Sequence, residues 1–158
     1  MKEYYLVNEG VIMAKVADAT RSGYTFDGWY YEDQKWDFEN DAVMEDMTLT
    51  AHWTQQITIY LKGNDKYSPS VSKIEKLKGE NYSIPNDTVP GYSIKWYNGE
   101  TEVERNGKCN FDRDVTFTAK LTLLTYTITY VANEGTDYSN NPTSYDVENV
   151  CELLAPVA

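Results

Sequence analysis

Few side chains in this sequence are of types that could carry out chemistry. It has one histidine, His52, and two cysteines, Cys109 and Cys151. His52 falls on the outward face of a predicted strand, and no serine or cysteine is spaced to use it as a general base. The cysteines form no Cys-x-x-Cys pair and lie far from the histidine, so the usual zinc spacings are excluded. We predict no enzyme activity, no catalytic residue, no metal and no cofactor, with both cysteines as reduced thiols.

A second group of candidate residues is acidic. Its members are Glu32, Asp33, Asp37, Glu39, Asp41, Glu45 and Asp46. Carboxylate oxygens suit Ca²⁺, but the D-x-[DN]-x-[DN]-G loop of calcium sites does not occur in this sequence. Paired carboxylates for glycoside hydrolysis need a cleft, which small units seldom form. We therefore expect a solvated acidic rim rather than a binding or catalytic site.

The balance of charge excludes further function classes. The chain has 158 residues, of which 25 are acidic and 14 basic, and its formal net charge is −11 at pH 7. This acid excess repels phosphate backbones and anionic lipid, so we expect no nucleic-acid partner. No apolar run approaches the roughly 20 residues of a membrane helix, and residues 1–3 lead into no signal-peptide core. We predict no membrane insertion in this segment.

The elements that position these residues repeat along the chain. Residues 23–30 (GYTFDGWY) return as residues 91–97 (GYSIKWY), one residue shorter, and residues 46–53 return as residues 114–121. Both offsets are 68 residues, and a third block, residues 57–59, returns at residues 128–130 with an offset of 71. Agreement of three blocks on nearly one period indicates a tandem array.

Each repeat is predicted to consist of short strands and turns. Alternation with period two marks the strands, and Asn98-Gly99 is a strong hairpin signal. No apolar helical period lasts ten or more residues, so the predicted class is mainly β or α+β. The boundaries place repeat one at residues 1–54, without its opening strand, and a complete repeat two at residues 55–122. Repeat three, residues 123–158, contains only the opening portion.

The repeated blocks resemble a known family. GYTFDGWY, then KWDF at residues 35–38, then DMTLTAHW at residues 46–53 resemble the Listeria–Bacteroides repeat, the internalin B-type repeat of bacterial surface proteins. The resemblance implies tandem small β-grasp-like (ubiquitin-like) units and secretion to a bacterial cell surface. It also implies a role as adhesin or spacer, and it brings no catalytic residues.

The motif residues are expected to form the cores of the units, because large rings bury much apolar surface. The structural motif comprises Gly23, Tyr24, Phe26, Trp29, Trp36, Phe38, Trp53, Gly91, Tyr92, Trp96 and Leu121. Tyrosines outside the motif are expected at the surface, where a wide apolar face and a polar tip suit contacts with a protein or a sugar. These possible surface contacts are Tyr30, Tyr31, Tyr67 and Tyr97.

We predict a non-enzymatic repeat segment of a bacterial cell-surface protein, acting as stalk, spacer or adhesion module. The alternative is a carbohydrate-binding accessory module of a secreted enzyme. Candidate partners are a host or neighbouring surface protein or a glycan. A further partner is a second copy of the chain: residues 126–158 of one molecule could complete the sheet of repeat one in the next by strand exchange.

Overall fold

The computed structural model describes residues 10–131 and 142–149, and these residues form thirteen strands and no helix. This confirms a mainly β chain. The strands are β1 Val11–Ile12, β2 Tyr24–Tyr31, β3 Gln34–Lys35, β4 Ala42–Val43, β5 Leu49–Lys62, β6 Lys73–Leu77, β7 Asn81–Ser83, β8 Tyr92–Asn98, β9 Thr101–Val103, β10 Asn106–Lys108, β11 Val115–Leu123, β12 Tyr126–Thr127 and β13 Ser144–Tyr145. Within the same described ranges, no helix is long and apolar enough to span a membrane.

The chain divides into two compact units that interleave along the sequence. Unit 1 comprises Met1–Thr58, Glu75–Glu80 and Lys108–Arg113. Unit 2 comprises Ile59–Ile74, Asn81–Gly107 and Asp114–Ala158. The repeat boundaries after residues 54 and 122 stay a prediction.

In unit 1, β2 is the middle strand of an antiparallel sheet whose order is β3-β2-β5. A two-residue turn after Tyr31 connects β2 to β3, and the carbonyl of Trp29 accepts a hydrogen bond from the Trp36 amide at 2.8 Å. Strands β1 and β4 form a separate antiparallel pair, with Val11 opposite Val43.

In unit 2, the sheet is mixed. Its order is β5-β11-β8-β9, and β6 pairs with the other side of β5. Strand β11 runs parallel to β5, with residues 115–118 opposite residues 59–62, and antiparallel to β8 over residues 117–123. Two small pairs, β7 with β10 and β12 with β13, complete the described strands.

The repeated blocks adopt the same strand register. Trp29 lies opposite Ala51 in the β2–β5 pair, and Trp96 lies opposite Ala119 in the β8–β11 pair. The two tryptophans, and likewise the two alanines, are separated along the chain by nearly the same number of residues as the repeated sequence blocks. The turn glycines match too: Gly23 and Gly91 both have φ of 77°, a conformation that glycine adopts without steric cost. The 68-residue offset therefore describes a repeated local structure.

The one-residue difference between the two blocks is absorbed by a β-bulge. The register of β2 against β5 shifts between Phe26 and Gly28, so Asp27 is the extra residue. The Asp27 carboxylate accepts a hydrogen bond from Thr54 Oγ1 at 2.8 Å. Because side chains alternate along a strand, the extra residue lets Phe26 and Trp29 pack on one side despite their odd spacing.

Burial differs between the two sets of motif residues. Trp96 is 2% exposed and Phe117 is fully buried, together with Ile59 from β5. The rings expected as the core of repeat one are all half-buried: Tyr24, Phe26, Trp29, Trp36, Phe38 and Trp53. Tyr92 and Leu121 of repeat two are half-buried as well, and the expectation that the motif residues form the cores of the units stays a prediction. Residues 117 and 118 of β11 have β8 on one side and β5 on the other, whereas among the described residues only β2 pairs with the equivalent residues 49 and 50 of β5.

Candidate functional site

Three half-buried rings of unit 1 form an edge-to-face cluster. The Phe26 ring centroid lies 5.5 Å from that of Trp29 and 5.4 Å from that of Trp53, at interplanar angles of 70° and 63°. Phe26 and Trp53 are opposite each other on β2 and β5, so the sheet register holds the cluster together. Such pairs contribute roughly 0.5–1.5 kcal/mol beyond area burial. These three rings therefore stabilise the β2–β5 pair.

Two indole nitrogens beside this cluster are unusual. The Nε1 atoms of Trp29 and Trp36 are buried and have no hydrogen-bond partner in the structure as described. A buried donor without a partner costs about 1–3 kcal/mol. The Trp36 ring also meets Tyr31 edge-on, with centroids 6.4 Å apart.

Three of the four candidate contact tyrosines, Tyr30, Tyr31 and Tyr97, are partly exposed, and each contacts a neighbouring side chain. Tyr30 stacks on His52, with ring centroids 3.9 Å apart and an interplanar angle of 12°. The Tyr31 hydroxyl donates to Glu45 at 3.2 Å, and the Glu45 charge raises the pKa of that hydroxyl. Lys120 Nζ lies 4.4 Å from the centroid of the Tyr97 ring.

Tyr67 is not a surface contact, and this expectation is wrong. It is 7% exposed, its ring meets Trp96 edge-on at 6.2 Å, and its hydroxyl donates to Asp87 Oδ2 at 2.7 Å. Burial, followed by the Asp87 hydrogen bond, raises the pKa of the Tyr67 hydroxyl. Asp87 also accepts the Ser70 amide at 2.8 Å, and this bond is the main reason that the Asp87 pKa is lowered. Tyr67 thus belongs to the core of unit 2.

The acidic residues after β3 form a self-capped turn. Asp37 accepts hydrogen bonds from the Glu39 amide at 2.8 Å and from Asn40 Nδ2 at 2.7 Å, and its own amide donates to Asp41 Oδ2 at 2.8 Å. The Asn40 side chain is the main cause of the lowered Asp37 pKa. In the described part of the chain, no group of three or more His, Cys, Asp or Glu side chains could hold a metal ion. The carboxylates here shape a turn.

The candidate catalytic side chains are also accounted for. One face of the His52 ring lies against Tyr30 on the neighbouring strand. Cys109 is fully buried, and burial raises the pKa of its thiol, which lowers its reactivity. Cys151 lies outside the described residues.

One cluster was missed by sequence reasoning. Lys66 Nζ donates to Tyr92 Oη at 2.9 Å and to Glu148, and the Tyr92 hydroxyl also donates to Glu148. The Glu148 hydrogen bond is the largest cause of the raised Lys66 pKa, and Lys66 in turn lowers the pKa of Glu148. The three residues lie far apart in sequence, and only the repeated glycine-tyrosine block marks Tyr92. The cluster ties the segment around residue 148 to the rest of unit 2.

Part of the chain matches a known protein family. The profile of the Listeria-Bacteroides repeat domain matches residues 2–52. This confirms the family resemblance proposed from the sequence motifs for that part of the chain.

Two longer relatives come from Evansella cellulosilytica. One, named "Putative Gly-rich membrane protein", is 29% identical over 147 residues, which cover 86% of this chain and 16% of that protein. The other, named "Putative membrane protein", is 29% identical over 136 residues, covering 79% of this chain and 20% of that protein. The chain thus spans a fifth or less of the length of these relatives. No solved structure matches.

Proposed function

Residues 2–52 are a Listeria-Bacteroides repeat, and from that premise we propose that the chain is a non-enzymatic repeat segment of a bacterial cell-surface protein, acting as a stalk or spacer. The names of the two longer relatives, both membrane proteins, support an extracellular, surface-associated location. The net charge of −11 supports a module that keeps its neighbours apart in solution.

We further propose that the repeats are β-grasp-like. The strand order is β6-β5-β11-β8. The first and last of these strands along the chain, β5 and β11, lie side by side and parallel, and the second and third, β6 and β8, lie outside them. This order is the support for a ubiquitin-like sheet. The connection from β6 to β8 contains only the short strand β7 among its elements, where a helix would cross in a complete β-grasp.

The parallel pairing of β5 with β11 is the observation that carries the spacer proposal. Residues 59–62 are the first residues of unit 2, residues 115–118 belong to the last strand of its mixed sheet, and the two segments run in the same direction. Tension applied before β5 and after β11 pulls these strands past one another. The evenly spaced hydrogen bonds of a parallel ladder are then loaded together in shear. This is the loading geometry that a load-bearing spacer needs.

The contact tyrosines favour the spacer over the carbohydrate-binding alternative. A sugar-binding platform needs open aromatic faces, but His52 covers one face of Tyr30 and Lys120 lies over Tyr97. Tyr67 is buried. The alternative predicts a defined hit on a glycan array that is lost in Tyr30→Ala, whereas the spacer predicts no hit.

Single-molecule pulling tests the spacer proposal. With DNA handles on Gln56→Cys and Thr122→Cys, in a Cys151→Ser background, the force loads β5 and β11 in shear. Handles on Pro90→Cys and Leu124→Cys are the matched control. Because the Leu124 amide donates to the carbonyl of the residue after Pro90 at 2.8 Å, that pull peels β8 from β11 one bond at a time.

We expect unfolding at several-fold higher force with the shear handles than with the peeling handles, since forced unfolding is governed by the barrier along the pulled coordinate. Equal forces in the two geometries, or a weaker shear geometry, would contradict a load-bearing role.

A further inference from the structure

Charge is unevenly distributed between the predicted repeats. Residues 55–122 contain ten basic and nine acidic residues, whereas residues 123–158 contain five acidic residues and no basic one. Because opposite charges attract, the acidic segment favours contact with cations of the preceding repeat. Lys66, in the turn after β5, is such a cation, and its Nζ forms an ion pair with Glu148.

The segment that meets Lys66 is a turn with its own internal hydrogen bonds. The Asp146 carboxylate accepts the backbone amides of Glu148 and Asn149 and the side-chain amide of Asn149, each at 2.9 Å. The same pattern, Asp-x-Glu-Asn, occurs at residues 37–40, where the aspartate accepts the glutamate amide and the asparagine side chain in the same way. The local sequence is therefore sufficient to form the turn, and docking it costs little further conformational entropy.

The turn docks on a corner of unit 2 made of Gly91 and Tyr92, at the start of β8. Val147 occupies the space that a side chain at position 91 would need. Glu148 accepts hydrogen bonds from the Tyr92 hydroxyl and from Lys66, and Lys66 Nζ lies 5.1 Å from the centroid of the Tyr92 ring. The corner thus offers a notch and a cation, and the turn supplies one apolar and one acidic side chain that match them.

The docked turn follows a small ribbon, the antiparallel pair of β12 and β13. Each strand has two residues, and all four are exposed. Tyr126 lies opposite Tyr145, and the Ile128 amide donates to the Thr143 carbonyl at 2.9 Å. A two-stranded ribbon on its own is marginally stable in water. The ribbon therefore needs support from contacts outside itself.

We propose that the contact of Glu148 with Lys66 and Tyr92 is a salt-sensitive latch, and that closing it orders the β12–β13 ribbon. With the latch closed, the described start of predicted repeat three is fixed on the corner of unit 2. With the latch open, the ribbon loses its pairing. The side chains of Lys66 and Glu148 are 57% and 45% exposed, so water and dissolved ions compete with the ion pair and keep the two states close in free energy. The latch does not depend on the spacer role.

Hydrogen exchange of the Ile128 amide tests the latch, because this amide reports the pairing of the ribbon and carries none of the altered charges. In Lys66→Gln and in Glu148→Gln, exchange at low ionic strength is expected to be roughly two- to five-fold faster than in the unmodified chain, the range for an exposed ion pair. The matched control is Lys95→Gln. Lys95 forms an ion pair of similar exposure with Glu102, between β8 and β9, and its loss should leave Ile128 exchange unchanged.

Charge reversal shows whether the two residues act as a pair. Lys66→Glu places a carboxylate beside Glu148 and should accelerate Ile128 exchange more than Lys66→Gln does. Adding Glu148→Lys to that variant restores opposite charges and should return the exchange rate most of the way. If the double reversal exchanges as fast as Lys66→Glu alone, or if Lys95→Gln has the same effect as Lys66→Gln, the latch does not hold the ribbon.

A salt titration of the unmodified chain needs no substitution. Salt at about 1 M reduces the Debye length to about 3 Å, so Ile128 exchange should rise to the level of Lys66→Gln, whose own exchange should stay constant. Spin labels at Thr116→Cys and Thr143→Cys, in a Cys151→Ser background, report the same change as a distance distribution. We expect it to be narrow at low salt and broad at high salt. A distribution and an exchange rate that are both independent of salt would refute the latch.

Circular dichroism of each variant shows whether it keeps the native strands.

Discussion

Gly91 lies against Val147, and a Cβ atom added to Gly91 would come within 2.2 Å of Val147 Cγ1. The contact belongs to the same part of unit 2 as the hydrogen bonds of Lys66 and Tyr92 to Glu148. A small residue at position 91 is therefore needed both by the backbone and by the segment that packs on it.

Alanine at the two turn glycines separates these requirements. Gly23 has the same φ of 77° as Gly91, but nothing lies within 4 Å of a Cβ added there. Gly23→Ala should cost about 1–2 kcal/mol for the left-handed conformation alone. Gly91→Ala should cost clearly more in urea unfolding, and Val147→Gly should recover the excess. Equal costs at the two positions would show that Val147 does not pack against this turn.

The β-bulge in β2 makes Gly28 necessary. Its φ is 142°, and the closest neighbour of an added Cβ is the flexible Lys35 side chain, at 2.6 Å from Cε. Gly28→Ala should therefore cost about 1–3 kcal/mol, mostly through the backbone. Deletion of Asp27 removes the bulge, and Lys95 occupies the matching position of β8. In that deletion background the same substitution should cost much less, by thermal unfolding; an unchanged cost would contradict the bulge assignment.

Tyr67 and Asp87 predict a dependence of stability on pH. The folded state raises the Tyr67 pKa above its value of about 10 in the unfolded chain, so the unfolded state ionises first as pH rises. The contribution of this tyrosine is complete below pH 10 and decreases above it. Tyr67→Phe should lower the urea midpoint at pH 7 and flatten its decline between about pH 9.5 and 11. Tyr60→Phe, at a tyrosine that is 45% exposed, is the control.

The same pair acts in the opposite direction in acid. The pKa of Asp87 is lowered in the folded state, mainly by the Ser70 amide, so its contribution is present above about pH 4 and lost as pH falls. Asp87→Asn should therefore be less stable than the unmodified protein at pH 7, and the difference should shrink toward pH 3. A constant difference across that range would contradict an ionised Asp87 in the folded state.

Matched truncations test the difference in burial between the repeats. Phe117 is fully buried, and its equivalent 68 residues earlier, Leu49, is half-buried. Phe117→Ala should cost about 3–5 kcal/mol through lost burial and the cavity it leaves. Leu49→Ala should cost under about 2 kcal/mol, because less apolar surface is lost. Denaturant unfolding gives both values, and similar costs would indicate a closed core around Leu49.

The sequence was sufficient for the repeated hairpins. The aromatic blocks and their offset predicted that the two segments repeat one local structure, and the structure places Trp29 opposite Ala51 and Trp96 opposite Ala119. Period-two alternation also predicted a mainly β chain, because each strand has one face toward its unit's interior. The β-grasp-like arrangement and the domain boundaries stay predictions.

Contacts between residues distant in sequence were beyond this reasoning. Tyr67 was predicted as a possible surface contact, yet its hydroxyl donates a hydrogen bond to Asp87 and its ring packs edge-on against Trp96. Local pattern does not encode a partner twenty or more residues away. The same limit applies to the Lys66–Glu148 cluster.

The uninterrupted length of strand β5 determines how the chain would respond to an insertion. Its fourteen residues run without interruption from Leu49 to Lys62. The odd-numbered side chains, including those of Trp53 and Ile57, therefore lie on the same face of the strand. Inserting a single residue near Gln55 would invert the inside-outside phase of everything downstream, whereas inserting two would restore it.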